Sequence, residues 1–393
     1  MHLSHTRSYN LIVFLTGFLL LLNNPLKAQD ISDLTFGTDT TLDVISWNIE
    51  WFPKNGAQTL NEVAEIIEAL DVDLIAMQEL DVESELDALK LLLNGWEIYY
   101  NASEYLTLAY LYRPESFENI NIHTILSSYS RELPRRPLVF DAEYRGNRVV
   151  VINNHWKCCG DGYLDSNDEW DEETRRRDAS ILIDQYVRDY YSNEKVIVLG
   201  DFNDILIDAT QHNVFQNFLN TPSEYHFVDY AIASGSSSDW SYPSWPSHLD
   251  HILITNELFE AFEAPGGSVA CLAIDDYYPG GWNYYDSYVS DHRPVGVRLV
   301  LPEQLSLTET AGGKMSIYPN PVVSGNTLHL ESSVRISSLR LIDLRGRTLL
   351  DQFPGQKREV AIATDELAPG LYTIEAILEN GERHFSKVQV LKP

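Results

Sequence analysis

The amino-acid sequence predicts an α/β domain followed by a small all-β sandwich, and three observations carry that expectation. Four consecutive apolar residues, Val196 to Leu199 in KVIVLGDFND (195–204), read as a strand buried on both faces, because a half-exposed strand would alternate. Leu60, Val63, Ile66, Ile67 and Leu70 recur at helical spacing with Glu62, Glu65 and Glu68 between them, and the apolar run DLIAMQEL (73–80) follows as a strand. Beyond Met315 the pattern changes to short strand-like runs separated by turn signals: Tyr318-Pro319-Asn320-Pro321, Ser324-Gly325-Asn326, Pro369-Gly370 and Asn380-Gly381.

At the front, Arg7 precedes the apolar run Leu11 to Leu22, which Asn23, Asn24 and Pro25 break before Ala28. About a dozen apolar residues are short for a transmembrane helix and typical of a signal-peptide core. Residues 1–28 are therefore read as a signal peptide removed on export, in preference to an uncleaved anchor. No other stretch is long and apolar enough to span a bilayer, so no stable span is expected after processing.

The strands then end, one after another, in polar residues. TLDVISWN (41–48) delivers Asn48 and, two residues on, Glu50, which share a strand face in WNIEW. The bland alternative is a solvent-facing Asn48 and Glu50 between core tryptophans Trp47 and Trp51. DLIAMQEL ends in Gln78 and Glu79. Two strand-like pieces between Trp96 and Tyr112 carry aromatics that are core by default. Leu138–Ala142 and Arg148–Asn154 read as a hairpin around Arg145-Gly146-Asn147, and its second strand delivers His155. The loop KCCGDGYLDSNDEWDEE (157–173) is dense in oxygen ligands; a structural Ca²⁺ is one reading, but the EF-hand spacing is missing and a solvated loop is preferred. TRRRDASILIDQYV (174–187) reads as a helix with Ile181, Leu182, Tyr186 and Val187 on its apolar face. After the strand 196–199, Gly200 permits a sharp turn or close approach, and Asp201 and Asn203 follow. SHLDHILIT (247–255) places Asp250 before a strand, and SDHRPVGVRLV (290–300) places Asp291 and His292 before another. LSLTETAGGK (305–314) is polar and flexible, as a linker should be.

A formal charge of −30 over 393 residues is concentrated in the first two thirds, since residues 314–393 hold ten Lys or Arg against nine Asp or Glu. Attraction to a polyanion is therefore not built into the main domain, and nucleic-acid binding there needs a local basic patch or bound cations. Cys158, Cys159 and Cys271 lack the paired spacing of a zinc site. One structural disulfide is expected, either Cys271 with a neighbour or the adjacent pair.

Together the strand ends offer Asn48, Glu50, Glu79, His155, Asp201, Asn203, Asp250, Asp291 and His292. Carboxylates and amide oxygens without a cysteine cluster suit a hard cation, Mg²⁺ or Mn²⁺, and a hard cation held by few carboxylates keeps positions open for water and phosphate oxygens. Metal-assisted hydrolysis of a phosphoester is the reaction class this implies.

The series WNIEW, QE, NNH, GDFND, LDHI and SDHRPV, in this order across residues 40–302, resembles the endonuclease/exonuclease/phosphatase superfamily. The resemblance implies a four-layer α/β/β/α sandwich with the site at one end of two packed sheets. By the same resemblance Glu79 is the principal metal carboxylate with Asn48 and Glu50 beside it, and Asp291 is a further metal or supporting carboxylate. Asp201 orients or deprotonates the attacking water, Asn203 helps hold phosphate and water, and His155 contacts the phosphate or assists the leaving group. His292, paired with Asp250, is either base or charge stabiliser. No tyrosine is matched to the family's catalytic Tyr. SIYPNP and APGLYTIEAI in residues 315–393 resemble the type A C-terminal sorting domain of the type IX secretion system, which implies export across an outer membrane with the secretion machinery as partner.

The expected organisation is thus a signal peptide (1–28), a catalytic domain (29–303), a linker (304–314) and a sorting domain (315–393). The expected function is a secreted, monomeric phosphoesterase, in the first place a nuclease with extracellular DNA or RNA as substrate. The alternative is a phosphatase or lipid phosphodiesterase acting on a smaller or membrane-presented phosphate.

Overall fold

The computed structural model describes residues 30–81, 83–100, 107–302, 315–355, 357–379 and 383–392. The expected signal peptide, the linker and the Asn380-Gly381 turn lie outside the described residues. The chain divides into two units, residues 1–301 and 302–393.

Two six-stranded sheets frame the first unit. In chain order the strands are β1 (Leu42–Phe52), β2 (Leu74–Leu80), β3 (Glu97–Tyr100), β4 (Thr107–Tyr112), β5 (Glu118–Thr124), β6 (Leu138–Tyr144), β7 (Asn147–His155), β8 (Lys195–Asp201), β9 (Tyr225–Phe227), β10 (Asp250–Thr255), β11 (Ser268–Cys271) and β12 (Val295–Leu299). One sheet runs β11-β12-β1-β2-β4-β3 and the other β5-β6-β7-β8-β10-β9. Each has a parallel pair near its centre, β1 with β2 and β7 with β8. A helix makes each crossover: α1 (Ala57–Leu70) in the first sheet and, after the helix α2 (Glu83–Leu92), α3 (Glu172–Tyr190) in the second.

Strand parity explains the layering. Val44, Leu74, Val151, Ile197, Leu199, Ile252 and Val297 point between the sheets and form one apolar cluster. Their odd-numbered or even-numbered neighbours turn outward: Ile45, Trp47 and Ile75 pack on Val63, Ile66, Ile67 and Leu70 of α1, while Val150, Val196 and Val198 pack on Ala179, Ile183 and Val187 of α3. Both central strands are therefore covered on both faces, which is why their sequences read as continuous apolar runs. Three cores between four layers make the α/β/β/α sandwich.

The apolar stripe of α3 differs from the expected one. Ala179, Ser180, Ile183 and Val187 are buried, whereas Ile181 is 47 % exposed. An i, i+3, i+4 stripe beginning at Ala179 excludes Ile181, and a run of apolar letters is a weaker guide than their angular position.

The second unit is all β. The long strand Thr327–Asp343 pairs with Met315–Tyr318, Thr348–Gln352, Lys357–Ala363 and Gly370–Leu378, and the last of these pairs with Arg383–Leu391. Register shifts between Glu331 and Ile336 separate its two halves, yet Leu328, Leu330, Ile336, Leu339 and Leu341 share one apolar interior with Ile374 and Val388.

Candidate active site

The register of the second sheet sets the site. His155 on β7 is opposite Asp201 on β8, and Asp201 is opposite Asp250 on β10. His155 and Asp201 follow, and Asp250 precedes, inward-facing apolar residues at even spacing, so parity turns all three into the space between the sheets, beyond the end of the apolar layer. Asn48, two residues past Ser46 on β1, meets them from the other sheet. Its amide nitrogen lies 2.9 Å from Asp201 Oδ2 and 3.2 Å from Glu79 Oε1, while its oxygen accepts from the Glu50 N–H at 3.0 Å. The Asn48 amide thus donates to both carboxylates.

Glu79 reaches this point only because the backbone bends. Met77 faces the helix layer, so Glu79, two residues on, would point away from the other sheet in a regular strand. Its φ of 64°, at a register shift between Met77 and Leu80, rotates it inward. Glu50 (φ 42°), Trp51 (φ 50°) and Asn203 (φ 54°) adopt the same left-handed region. Four such non-glycine residues at one end of the sandwich are a concentration of backbone strain where functional residues sit. Trp51 is 62 % exposed while Trp47 and Asn48 are buried, so the alternative of two core tryptophans flanking solvent-facing Asn48 and Glu50 does not hold.

His155 Nε2 lies 3.5 Å from Glu79 Oε1 and 3.7 Å from Asp201 Oδ2, and the three ligand atoms fit within 4.8 Å of one another. Neither ring nitrogen of the buried His155 has a hydrogen-bond partner. An orphaned imidazole facing two carboxylates in a buried, oxygen-rich setting fits a divalent cation. Burial, together with Arg135 and His292 nearby, pushes the His155 pKa well below its ordinary value, so it is neutral. Burial raises Asp201 to about 6 against the pull of His292, and Asn203 N–H donates to its Oδ1 at 2.9 Å.

His292 closes the other side. Its Nδ1 is 2.7 Å from Asp250 Oδ2, and its Nε2 is 3.9 Å from both Asp201 Oδ2 and Asp291 Oδ1. Burial works against the imidazolium, but the carboxylates of Asp250, Asp201 and Asp291 outweigh it and raise the pKa to about 10. The expected Asp250–His292 pair is present. Asp291, raised to about 7 by burial, donates its N–H to Glu50 Oε2 at 2.9 Å, and Lys54 holds the same Glu50 oxygen. Glu50 therefore supports Asp291 and stands apart from the Glu79, His155 and Asp201 group.

Several further residues support the site, of which Ser290, Gln78 and Asn153 lie within the quoted motifs and Tyr242 and Trp245 carry no sequence signal. Ser290 Oγ donates to the Asn48 carbonyl and accepts from the His292 N–H, tying the segment that enters β12 to the end of β1 in the same sheet. Gln78 and Asn153, 2.8 Å apart, form a buried amide layer directly beneath. Tyr242 packs on His292 with ring centres 4.8 Å apart. With Trp245, Cys158, Gly160, Asp201, Asn203 and His292 it lines a cleft of about 470 Å³. The expected disulfide is not formed: all three cysteines are free thiols, and the Cys158 and Cys159 sulfurs are 3.0 Å apart. A covalent S–S bond requires about 2.05 Å.

Behind the site, Asp229 accepts from His251 Nδ1 at 2.6 Å, from His248 Nε2 at 3.1 Å and from the Ile252 N–H at 2.9 Å. His251 Nε2 donates to the carbonyl of Asp204 and so anchors the loop that bears Asn203. Burial opposes the Asp229 charge, but the two histidines win and hold its pKa below the ordinary 3.8; in return Asp229 raises His251 above 6.5. The Asp contribution to stability is present above 3.8 and lost as pH falls through its lower folded value. The His contribution is present below 6.5 and lost as pH rises through its higher folded value, so both are complete between 3.8 and 6.5. Asp229→Asn is expected to cost about 3–5 kcal/mol in that window, because it leaves a buried imidazolium unpaired. Urea unfolding at pH 5.5 checks this, and a midpoint equal to that of the unmodified chain would contradict it.

Among solved structures, a humanized D. rerio TDP2 is 15 % identical with a TM-score of 0.48, covering 66 % of this chain and 98 % of its own. The human Nocturnin catalytic domain is 15 % identical with a TM-score of 0.46, covering 66 % and 93 %. An endonuclease/exonuclease/phosphatase family protein from Bacteroides thetaiotaomicron is 17 % identical with a TM-score of 0.46, covering 67 % and 96 %. No curated protein matches the chain. Residues 316–391 match the secretion system C-terminal sorting domain, which marks the chain for export across the outer membrane through its secretion machinery. Among the described residues no helix is long and apolar enough to cross a membrane. Residues 45–292, which carry the whole site, match the Endonuclease/Exonuclease/phosphatase family, and the chain belongs to that family of metal-dependent phosphoesterases.

Proposed function

We propose that the protein is a secreted phosphodiesterase that cleaves DNA or RNA outside the cell. The observation that carries this reading is the convergence of Glu79, His155, Asp201 and the Asp250–His292 pair at one end of the sandwich, in a cleft bordered by Tyr242 and the 78 % exposed Trp245. Exposed aromatic faces beside a phosphate site suit bases, which stack on them regardless of sequence. Arg135 and Lys157 add local positive charge near His155 and the cleft in an otherwise acidic domain.

Glu79 and Asp201 would hold Mg²⁺ or Mn²⁺, with the Asn48 amide fixing both carboxylates; the cation, when bound, supplies positive charge to the phosphate oxygens. Asp201 accepts the proton of the attacking water and Asn203 orients the loop around it. His292, charged and held by Asp250, meets the charge that develops on the phosphate, and the neutral His155 contacts a phosphate oxygen or the leaving group. Asp291, steadied by Glu50 and Lys54, keeps the imidazolium in place. The domain plan that goes with this reading is a cleaved signal peptide at 1–28, the catalytic domain 29–303 acting as a monomer, a linker 304–314 and the sorting domain 315–393.

A phosphatase or lipid phosphodiesterase is the second reading, favoured by the charge of −30, which repels a polyanion. The two separate in one assay of the full chain on DNA, RNA, a phosphomonoester and sphingomyelin, each with Mg²⁺ and with EDTA. Trp245→Ala is expected to raise KM on a single-stranded oligonucleotide about tenfold at unchanged kcat, the loss of one stacked base. Turnover of the monoester or the lipid with none of either nucleic acid would overturn the nuclease reading.

A further inference from the structure

Glu173 is a buried acid for which packing alone gives no account. It is 1 % exposed. Its Oε1 accepts from the Gly162 N–H at 2.7 Å and pairs with Arg176 Nη2 at 3.1 Å, but its Oε2 is buried without a hydrogen-bond partner. A carboxylate oxygen in that position is costly unless a positive group reaches it. Arg176 meets only Oε1; its Nε is 2.7 Å from Asp204 Oδ2, and its Nη1 donates to the carbonyls of Lys157 and Cys159.

Two further carboxylates converge on Glu173. Ligand oxygens of Asp161, Asp171 and Glu173 lie within 4.8 Å of one another. The backbone hydrogen bonds of Asp171, to Thr174 N–H and Asp165 N–H, both fall on Oδ2, and that of Asp161, from Tyr163 N–H, falls on Oδ1. The chain closes on Glu173 as tightly as glycine allows: a Cβ on Gly160 would sit 2.3 Å from Oε1 and 2.7 Å from Oε2. Irregular loop geometry with several oxygens is what Ca²⁺ accepts and Mg²⁺ does not.

We propose that Asp161, Asp171 and Glu173 form a calcium site that pins the loop 157–173 onto α3 and thereby sets one wall of the catalytic cleft. Cys158, Cys159, Gly160 and Gly162 of that loop border the cleft together with Asp201 and Asn203. Its ligands are not those of the Glu79 group, although Glu173 borders the same cleft as Glu79, and the site does not depend on which phosphoester the enzyme cleaves.

The test is calorimetric titration of Ca²⁺ into the full chain carrying Glu79→Gln, in excess Mg²⁺, so that the cleft contributes no calcium signal. One Ca²⁺ is expected to bind with a Kd of about 10⁻³ M or tighter, as in extracellular modules, and to slow amide exchange across residues 158–174. Adding Asp161→Asn is expected to weaken binding about tenfold by removing one charged ligand; Asp161 is at the surface, so this change leaves the buried Glu173–Arg176 pair intact. Glu173→Gln is expected to abolish binding. Absence of calcium uptake by the Glu79→Gln chain, protection located elsewhere, or a Kd unchanged by Asp161→Asn would overturn the proposal.

Discussion

Asp201→Asn is expected to lower kcat by about 10³–10⁴-fold while KM changes little, the loss typical of a positioned proton acceptor. Asn keeps the shape and can still meet the Asn203 N–H, so the loop that follows should hold. What disappears is the oxygen that takes the proton and half of the charge offered to the cation. The pH profile gives an independent check. Asp201 works as a carboxylate, and burial raises it to about 6, so kcat/KM is expected to rise with pH through an acid limb near 6 at low metal. A bound cation favours the carboxylate and moves that limb lower as metal is added. Near-normal turnover by Asp201→Asn in steady-state assays would remove Asp201 from the reaction.

His292→Ala is expected to cost about 10²–10³-fold in kcat, as the removal of one preorganised donor does elsewhere. The imidazolium is held by Asp250 at 2.7 Å and faces two more carboxylates at 3.9 Å, an arrangement suited to a permanent charge and poorly suited to a base that must release its proton. The sign follows from the pKa of about 10. Activity that needs the charged form persists below that value and falls as pH rises through it. Asp250→Asn is therefore expected to draw the alkaline limb down towards 6.5, with the largest loss between pH 8 and 9. An alkaline limb unmoved by Asp250→Asn would rule out the charged role of His292.

Much of this site is legible in the chain because it is built on strand ends. A strand that is apolar up to a given residue and polar afterwards announces where its sheet leaves the core. Four such endings, in WNIEW, QE, NNH and GDFND, and two polar strand starts, in LDHI and SDHRPV, specify which side chains have nowhere to go except a common cleft. The inward direction of Asn48, His155, Asp201 and Asp250 follows from period two alone. The pairing of Asp250 with His292, 42 residues apart, is legible for the same reason, as both sit at strand starts that meet the cleft.

Where local pattern and final geometry part company, the deciding terms are long-range. Parity sends Glu79 to the wrong face, and only the left-handed φ enforced by pairing with β4 brings it back. Trp51, core in the alternative reading of WNIEW, is exposed where its own backbone takes a left-handed φ. Asp229, His248 and His251 come from different parts of the chain, and the shifts of Asp229 and His251 arise only when they are buried together, because desolvation and proximity are properties of the folded interior. The same holds for Glu173, which in the sequence is one acid among many in a loop and becomes distinctive only once one of its oxygens is buried without a partner. The sequence alone determined the α/β strands, the polar residues at their ends and the change to an all-β unit beyond Met315, since these rest on periodicity. Tertiary structure alone decided which acids are buried, which of them share a cation or a proton, and which stand in solvent, since those depend on neighbours that no local pattern contains.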